Sequence, residues 1–163
     1  MRLSDYTDYT LRVLMYCAAH PDRLVTIAEL ADQHQVSKNH LMKIVNDLGR
    51  QGVLETLRGR GGGLRLLKAP ATIRVGDVVR SSETDFRLVE CFDPSTDTCT
   101  LTPTCRLKNV LHGALTAYLA ELDGVTLADI SRPARGSSSA KALKGQSRPV
   151  SGPATRRPRA TAG

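Results

Sequence analysis

The chain has 163 residues, a formal net charge of +7, 40% hydrophobic residues and only 4% aromatic ones. This length supports one modest core and is too short for two ordinary domains. No apolar run approaches the roughly 20 residues of a membrane-spanning helix. The opening MRLSDYTDYT carries charges and hydroxyls where a signal peptide needs apolar residues. We therefore expect a cytoplasmic protein with no membrane partner.

The positive charge is unevenly distributed along the chain. Residues 132–163 hold eight of the 23 basic residues and no acidic one, which leaves 15 basic against 16 acidic residues before them. This segment is rich in Pro, Gly, Ser, Ala and Arg, and it has too few bulky apolar residues to offset the entropy lost when a chain becomes ordered. We therefore predict a disordered basic tail. Such a tail either adds salt-dependent DNA affinity or serves only solubility. Between residues 38 and 74, eight basic side chains accompany two acidic ones, a cluster typical of a nucleic-acid-binding surface.

The first half of the chain predicts three helices. Apolar residues at helical spacing indicate the first over residues 5–20. Thr26, with Glu29 three residues later, forms a capping-box pattern for a second helix that runs to about His34. Ser37 then caps a third helix in KNHLMKIVNDLGRQG. A short helix, a tight turn and a polar-faced second helix are the helix-turn-helix pattern.

A basic hairpin follows the third helix. Short apolar strands over residues 53–57 and 64–67 flank the sequence RGRGGG. After a helix-turn-helix, such a hairpin is a wing that lays Arg58 and Arg60 along the DNA backbone or in the minor groove. The alternative is a three-helix core with a solvated charged face. The candidate base- and phosphate-contacting residues of the third helix are Ser37, Lys38, Asn39, His40 and Lys43.

The second half predicts two more helices around a loop. Apolar spacing indicates one over residues 72–83, although Gly76 disfavours it. The other runs from about Pro103 or Cys105 to Leu122 and carries more apolar surface than one small domain can cover. The predicted fold is mainly α with a small β-hairpin wing. It comprises a winged helix-turn-helix domain over 1–70, and a cysteine loop with a long dimerisation helix over 71–131.

Three of the four cysteines, Cys91, Cys99 and Cys105, concentrate in one loop, with seven and five residues between them. Cytosolic thiols stay reduced, and thiolates are the soft ligands of iron-sulfur clusters. Zinc is less favoured, because the loop has no CxxC or CxxH pair, and three incidental cysteines remain the plain alternative. For a fourth ligand, Cys17 is more typical of a buried small side chain and His112 of a structural helix residue.

With these elements in place, the sequence resembles the NsrR nitric-oxide-sensing repressors, a branch of the winged-helix regulator family that also contains the cluster-assembly regulator IscR. The resemblance covers about residues 1–132. It is carried by MRLSDYTDYTLRVLMY, by TIAELADQHQVSKNHLMKIVNDLGRQGVL, by RGRGGGLRL and by the cysteine loop up to CRLKNVL.

The resemblance implies a fourth ligand from the other subunit. The IscR branch places a histidine three residues after the last cysteine, where this chain has Lys108. In the NsrR branch an aspartate near the N-terminus of the partner subunit completes the site, and the matching residue is Asp8. Arg12, one helical turn later, would steady that carboxylate, or it is simply a solvent-facing charge. The loop spacing departs from other members, which leaves a 2Fe-2S and a 4Fe-4S cluster both open.

These inferences predict a homodimer that binds a near-palindromic double-stranded operator and represses while its iron-sulfur cluster is intact. Nitric oxide is the expected signal, and nitrosylation of the cluster is expected to release the DNA. One alternative is a winged-helix regulator that senses cluster supply or oxidative stress. A different class is an iron-sulfur assembly or electron-transfer module. An enzyme is not expected, because the chain lacks a nucleotide loop, a nucleophile-base arrangement and paired carboxylates at a recognisable spacing.

Overall fold

Six α-helices and one hairpin make up the part of the chain that the computed structural model describes, residues 2–131. The predicted disordered tail, 132–163, lies outside the described residues. No helix among those described is both long and apolar enough to cross a membrane. The elements in chain order are α1 (Asp5–Ala19), α2 (Ile27–His34), α3 (Lys38–Arg50), β1 (Leu54–Leu57), β2 (Gly63–Leu66), α4 (Val75–Ser82), α5 (Arg106–Asp123) and α6 (Leu127–Ser131).

Side-chain caps define the starts of the first three helices. The Thr26 hydroxyl accepts a hydrogen bond from the Glu29 amide and the Glu29 carboxylate accepts one from the Thr26 amide, which is the predicted capping box. Ser37 accepts from the His40 amide at the start of α3. Between α2 and α3, Gln35 adopts a left-handed conformation with φ of 55°. This residue makes the turn tight enough to bring α3 across α2.

The core lies where α1, α2, α3 and the hairpin meet. Leu14, Leu30 and Ile44 are fully buried there, one from each helix. The strands β1 and β2 are antiparallel, with Leu54 opposite Leu66, and β2 also pairs with the residues before α2 through Val25 and Leu64. The hairpin therefore joins the helix-turn-helix as a wing. The predicted mainly α fold with a β-hairpin wing is confirmed.

The helix predicted over residues 72–83 begins at Val75 instead. Ile73 and Arg74 are extended, because the Leu127 amide donates to the Ile73 carbonyl at 2.8 Å and the Val75 amide donates to the Val125 carbonyl at 3.0 Å. These bonds hold the chain where it enters α6.

Helix α6, which was not predicted from the sequence, returns the chain to the N-terminal core. Leu127 is only 1% exposed, and Ile130 packs partly buried against the same cluster. One core therefore includes side chains from both 1–70 and 71–131. A local signal was present, since Thr126 and Asp129 form a reciprocal cap: the Thr126 hydroxyl accepts from the Asp129 amide, and the Asp129 carboxylate accepts from the Thr126 amide.

Helix α5 contributes 18 residues and no buried side chain. Leu107 and Val110 are 61% and 66% exposed. An ion pair fastens the C-terminal end of α5 to α4, with Arg80 donating to both carboxylate oxygens of Asp123 at 2.6 and 2.5 Å. The carboxylate covers Gly76, where an added Cβ would collide with it. Gly76 does not interrupt α4, and the close approach of α5 leaves no room for a side chain at this position.

Candidate nucleic-acid interface and metal centre

Helix α3 has the two faces that a recognition helix needs. Its apolar residues, spaced three and four apart, are buried against α1 and α2, so its polar side chains are left outside. Met42, which the sequence reading did not single out, is 44% exposed among them, and its apolar end suits a thymine methyl group. The exposed residues include all the candidates on this element, namely Ser37, Lys38, Asn39, His40 and Lys43.

The wing presents two cations at its tip. Gly59 and Gly61 have φ of 98° and 79°, a left-handed conformation that glycine adopts without strain and that allows the sharp turn. Arg58 and Arg60 are exposed on this turn, and no described carboxylate pairs with either. Arg65, lower in the hairpin, is instead paired with Glu55 at 2.7 Å. The wing-tip arginines are thus the ones placed to meet phosphates.

Helix α1 contacts the exposed side of α3 through two tyrosines. The Tyr6 hydroxyl donates to Asp47 at 2.6 Å, and burial together with this carboxylate raises the pKa of Tyr6 to about 12. The Lys43 ammonium lies 5.4 Å from the centre of the Tyr6 ring. The ring of Tyr9 lies 6.1 Å from that of His40. Two candidate DNA-contacting residues, His40 and Lys43, therefore pack against tyrosine rings of α1.

Asp8 occurs on the same helix and is paired within its own chain. Arg12 contacts its two carboxylate oxygens at 3.1 and 2.6 Å, and the same guanidinium lies 5.7 Å from the Tyr9 ring centre. Burial and the nearby Arg12 charge lower the pKa of His34, with Asp8 opposing them. Asp8 and Arg12 are each roughly half exposed, so this pair can be reached from outside the monomer.

The three cysteines of the loop lie in different environments. Cys91 is buried in a single 3-10 turn, whereas Cys99 and Cys105 are partly exposed. Cys105 caps α5, and its Sγ accepts a hydrogen bond from the Lys108 amide at 3.4 Å. Cys17 in α1 is not part of this loop, and because burial raises its pKa to about 12 it stays a protonated apolar side chain.

Carboxylates shape the loop between these cysteines. Asp93 accepts from the amide and hydroxyl of Ser95 and is also paired with Arg87 at 2.7 Å. Asp97 accepts from the Cys99 amide and the Thr102 hydroxyl, both at 3.0 Å. These local turns, rather than burial, determine the course of the loop.

Within residues 2–131, no three His, Cys, Asp or Glu side chains are grouped closely enough to hold a metal ion. Asp8 is bound to Arg12 of its own chain rather than gathered with the cysteines. The chemistry of the donor set nevertheless fits an iron-sulfur cluster, since it offers three thiols, one of which receives a backbone N–H bond at a helix N-terminus. A cluster held by four protein ligands would need one more from outside this set.

The helix-turn-helix buries the apolar face of α3 and exposes its polar face, and a basic wing follows it. These features together define a winged-helix DNA-binding protein. Residues 3–133 match the sequence profile of Rrf2, described as an iron-dependent transcriptional regulator. The chain belongs to the Rrf2 family of transcriptional regulators.

Two relatives show a closer likeness within the family. The transcriptional regulator NsrR of Bacillus licheniformis is 53% identical over 131 residues, which cover 80% of this chain and 92% of the relative. NsrR of Bacillus subtilis strain 168 is 52% identical and is covered to 90%. The resemblance drawn from the sequence is confirmed. These relatives are named transcriptional regulators and not enzymes, which agrees with the sequence prediction.

Solved structures agree on the fold. The IscR of T. potens superposes with a TM-score of 0.64 at 23% identity, covering 80% of this chain and 85% of that one. The oxidized form of Staphylococcus aureus CymR gives a TM-score of 0.66 at 22% identity, covering 82% and 98%. Both superpositions extend beyond the helix-turn-helix to the second half of the described residues.

Proposed function

We propose that this chain is a homodimeric, cytoplasmic repressor that responds to nitric oxide through an iron-sulfur cluster held by Cys91, Cys99, Cys105 and Asp8 of the partner subunit. The observation that carries the proposal is the position of the thiols. They occupy a locally shaped loop that ends with Cys105 at the N-terminus of α5, a helix with exposed apolar side chains. Relatives about 50% identical are named NsrR, which supports the same assignment.

A second copy of the chain is the proposed cover for α5. An 18-residue helix with many apolar residues and no buried one is unfavourable in water, because each Å² of apolar surface left exposed lacks about 25 cal/mol of stabilisation from burial. Pairing α5 with its counterpart removes that surface. It also brings two copies of α3 to one DNA duplex, where half-sites one helical turn apart, about 34–36 Å, give a near-palindromic operator.

The chain's own residues have separable roles in the proposed sensor. Cys91, Cys99 and Cys105 supply thiolates, and the amide of Lys108 stabilises the negative charge on the Cys105 sulfur. Arg12 orients and neutralises the Asp8 carboxylate. When bound, the cluster supplies iron with which nitric oxide reacts. Because α1 bears Asp8 and packs on α3, a change at Asp8 can alter DNA affinity, and a coupling of about 1 to 3 kcal/mol changes affinity by roughly 5- to 150-fold.

The proposal is tested on anaerobically purified protein by its ultraviolet-visible spectrum, with iron and acid-labile sulfide assayed. Nitric oxide is then titrated while binding to a selected DNA sequence is followed. We expect a sulfide-containing chromophore, iron-nitrosyl bands upon titration, and loss of the DNA complex in parallel. Release by peroxide or cluster depletion but not by nitric oxide would favour a sensor of oxidants or cluster supply. Protein that stays without iron and sulfide after reconstitution would remove the cluster from the proposal.

A further inference from the structure

Asp47 lies one helical turn after Lys43 on α3, an arrangement that ordinarily pairs the two side chains. Opposite charges at i and i+4 attract one another on a helix surface. Here the Asp47 carboxylate is occupied otherwise, because the Tyr6 hydroxyl donates to one of its oxygens at 2.6 Å and Arg50 lies 3.5 Å from the other. Lys43 instead lies over the face of the Tyr6 ring, 5.4 Å from its centre.

We propose that Tyr6 is a positioning residue for DNA binding, whose hydroxyl occupies Asp47 and whose ring supports Lys43, so that the Lys43 ammonium is left for a DNA phosphate. The proposal rests on the assignment of α3 as the recognition helix within the proposed function. It adds a role for a residue of α1 that is not among the candidate DNA-contacting residues.

Two physical effects combine in this arrangement. A cation over an exposed aromatic face is held only weakly, so the Tyr6 ring supports Lys43 and still allows it to bind a phosphate. A carboxylate beside the same lysine would compete with DNA for it, and would also repel the phosphates. By accepting the hydrogen bond from the Tyr6 hydroxyl, Asp47 is oriented toward α1 and does not compete with DNA for Lys43.

The position of Tyr6 also links this arrangement to the proposed sensor. Tyr6 precedes Asp8 by two residues on α1, and Arg12, which pairs with Asp8, lies one turn after it. A shift of α1 that follows a change at Asp8 would move the Tyr6 hydroxyl relative to Asp47. Lys43 would then gain a carboxylate partner and lose affinity for phosphate. Regulation of DNA affinity would thus act through a single hydrogen bond.

The test compares four variants with wild-type protein by fluorescence anisotropy on a short selected duplex and on a random duplex, over a range of salt. Tyr6→Phe retains the ring under Lys43 and removes the hydroxyl. We expect it to weaken binding about tenfold and to lower the magnitude of the salt slope by about one counterion, because one phosphate contact is lost. Asp47→Asn in the Tyr6→Phe background is expected to restore both quantities.

Two controls separate positioning from stability. Tyr16→Phe removes a matched hydrogen bond from α1 to a carboxylate, since Tyr16 donates to Glu29 at 2.7 Å on the side of α2. It should reduce the melting temperature as Tyr6→Phe does and leave DNA binding within about twofold. Asp47→Asn alone should change affinity less than it does beside Tyr6→Phe, because the two residues are coupled.

Equal effects of Asp47→Asn in both backgrounds, or an unchanged salt slope in Tyr6→Phe, would overturn the role of Tyr6. The random duplex reports the phosphate contact even where no sequence is selected, so the test does not depend on an operator. A wild-type complex that nitric oxide fails to release would count against the proposed sensor alone. The two proposals therefore fail on different measurements.

Discussion

Residues 1–70, which hold the helix-turn-helix, and residues 71–131, which hold the cysteine loop, are both rich in apolar residues at helical spacing. Their two longest amphipathic helices after α1 differ in how far these residues are buried. In α3 every residue of the apolar face is buried by α1, α2 and the hairpin. In α5 none is buried. The apolar face of α3 is thus covered within one chain, whereas α5 keeps exposed apolar side chains and the loop before it keeps two partly exposed thiols, Cys99 and Cys105. Periodicity therefore predicts a helix but does not say whether its own chain will cover it.

The largest difference between the two halves is expected when one thiol is removed from each. Cys99→Ala is expected to abolish the iron, the acid-labile sulfide and the nitric-oxide response, because a proposed ligand is lost. Helicity and the melting transition of the metal-free protein should be unchanged, since Cys99 is partly exposed. Cys17→Ala, in the core, is the control and should lower stability while the iron content is retained. Full iron and sulfide in Cys99→Ala would exclude that residue as a ligand.

Leucine and valine truncations compare the two apolar surfaces directly. Leu30 is fully buried, so Leu30→Ala is expected to cost about 2–5 kcal/mol in unfolding free energy at any protein concentration. Val110 is 66% exposed in the monomer, so Val110→Ala should weaken dimerisation and leave the dissociated chain equally stable. Chemical denaturation and sedimentation at several concentrations measure both. A concentration-independent loss in Val110→Ala would mean that its own chain, and not a second copy, covers it.

Two glycines test how closely α5 is held to α4. In Gly76→Ala the new methyl group would displace the Asp123 carboxylate and break its pair with Arg80, at a cost of about 1–3 kcal/mol from overpacking. In Gly113→Ala the added Cβ meets no atom of its own chain within 4 Å, so the better helix propensity should stabilise the dissociated chain by up to about 1 kcal/mol. Thermal denaturation gives both values. Similar melting temperatures for the two variants would contradict the close approach at Gly76.

The smallest effect is expected from acid titration of the helix-turn-helix. Hydrogen bonds from Arg23 and Tyr16 lower the pKa of Glu29 from its ordinary 4.5 to about 2. A carboxyl whose pKa is depressed in the folded state stabilises the protein above pH 4.5, and that stabilisation is lost as the pH falls toward 2. Because the pair is partly exposed, its contribution should be about 1 kcal/mol or less. Glu29→Gln should flatten the pH dependence of unfolding in this window, and an unaltered pH profile would argue against the pair.

Local patterns predicted most of the fold and of the candidate site. The capping box of Thr26 and Glu29 and the cap at Ser37 involve residues three apart, so the sequence displays them directly. The DNA-contacting candidates of α3 followed from the same reasoning, because burying one face of a helix exposes the other. The concentration of three cysteines in one loop was likewise visible without a structure.

The sequence by itself thus determined the helix-turn-helix, the wing and the candidate ligands, since each depends on contacts or periodicities within a few residues. The tertiary structure decided that α6 returns to the first core, that Asp123 covers Gly76, and that Tyr6 holds Asp47. These contacts join residues about 40 or more positions apart. Chain connectivity places no constraint on such pairs, and only the packing of α1 on α3, of α5 on α4 and of α6 on the core brings their atoms into contact.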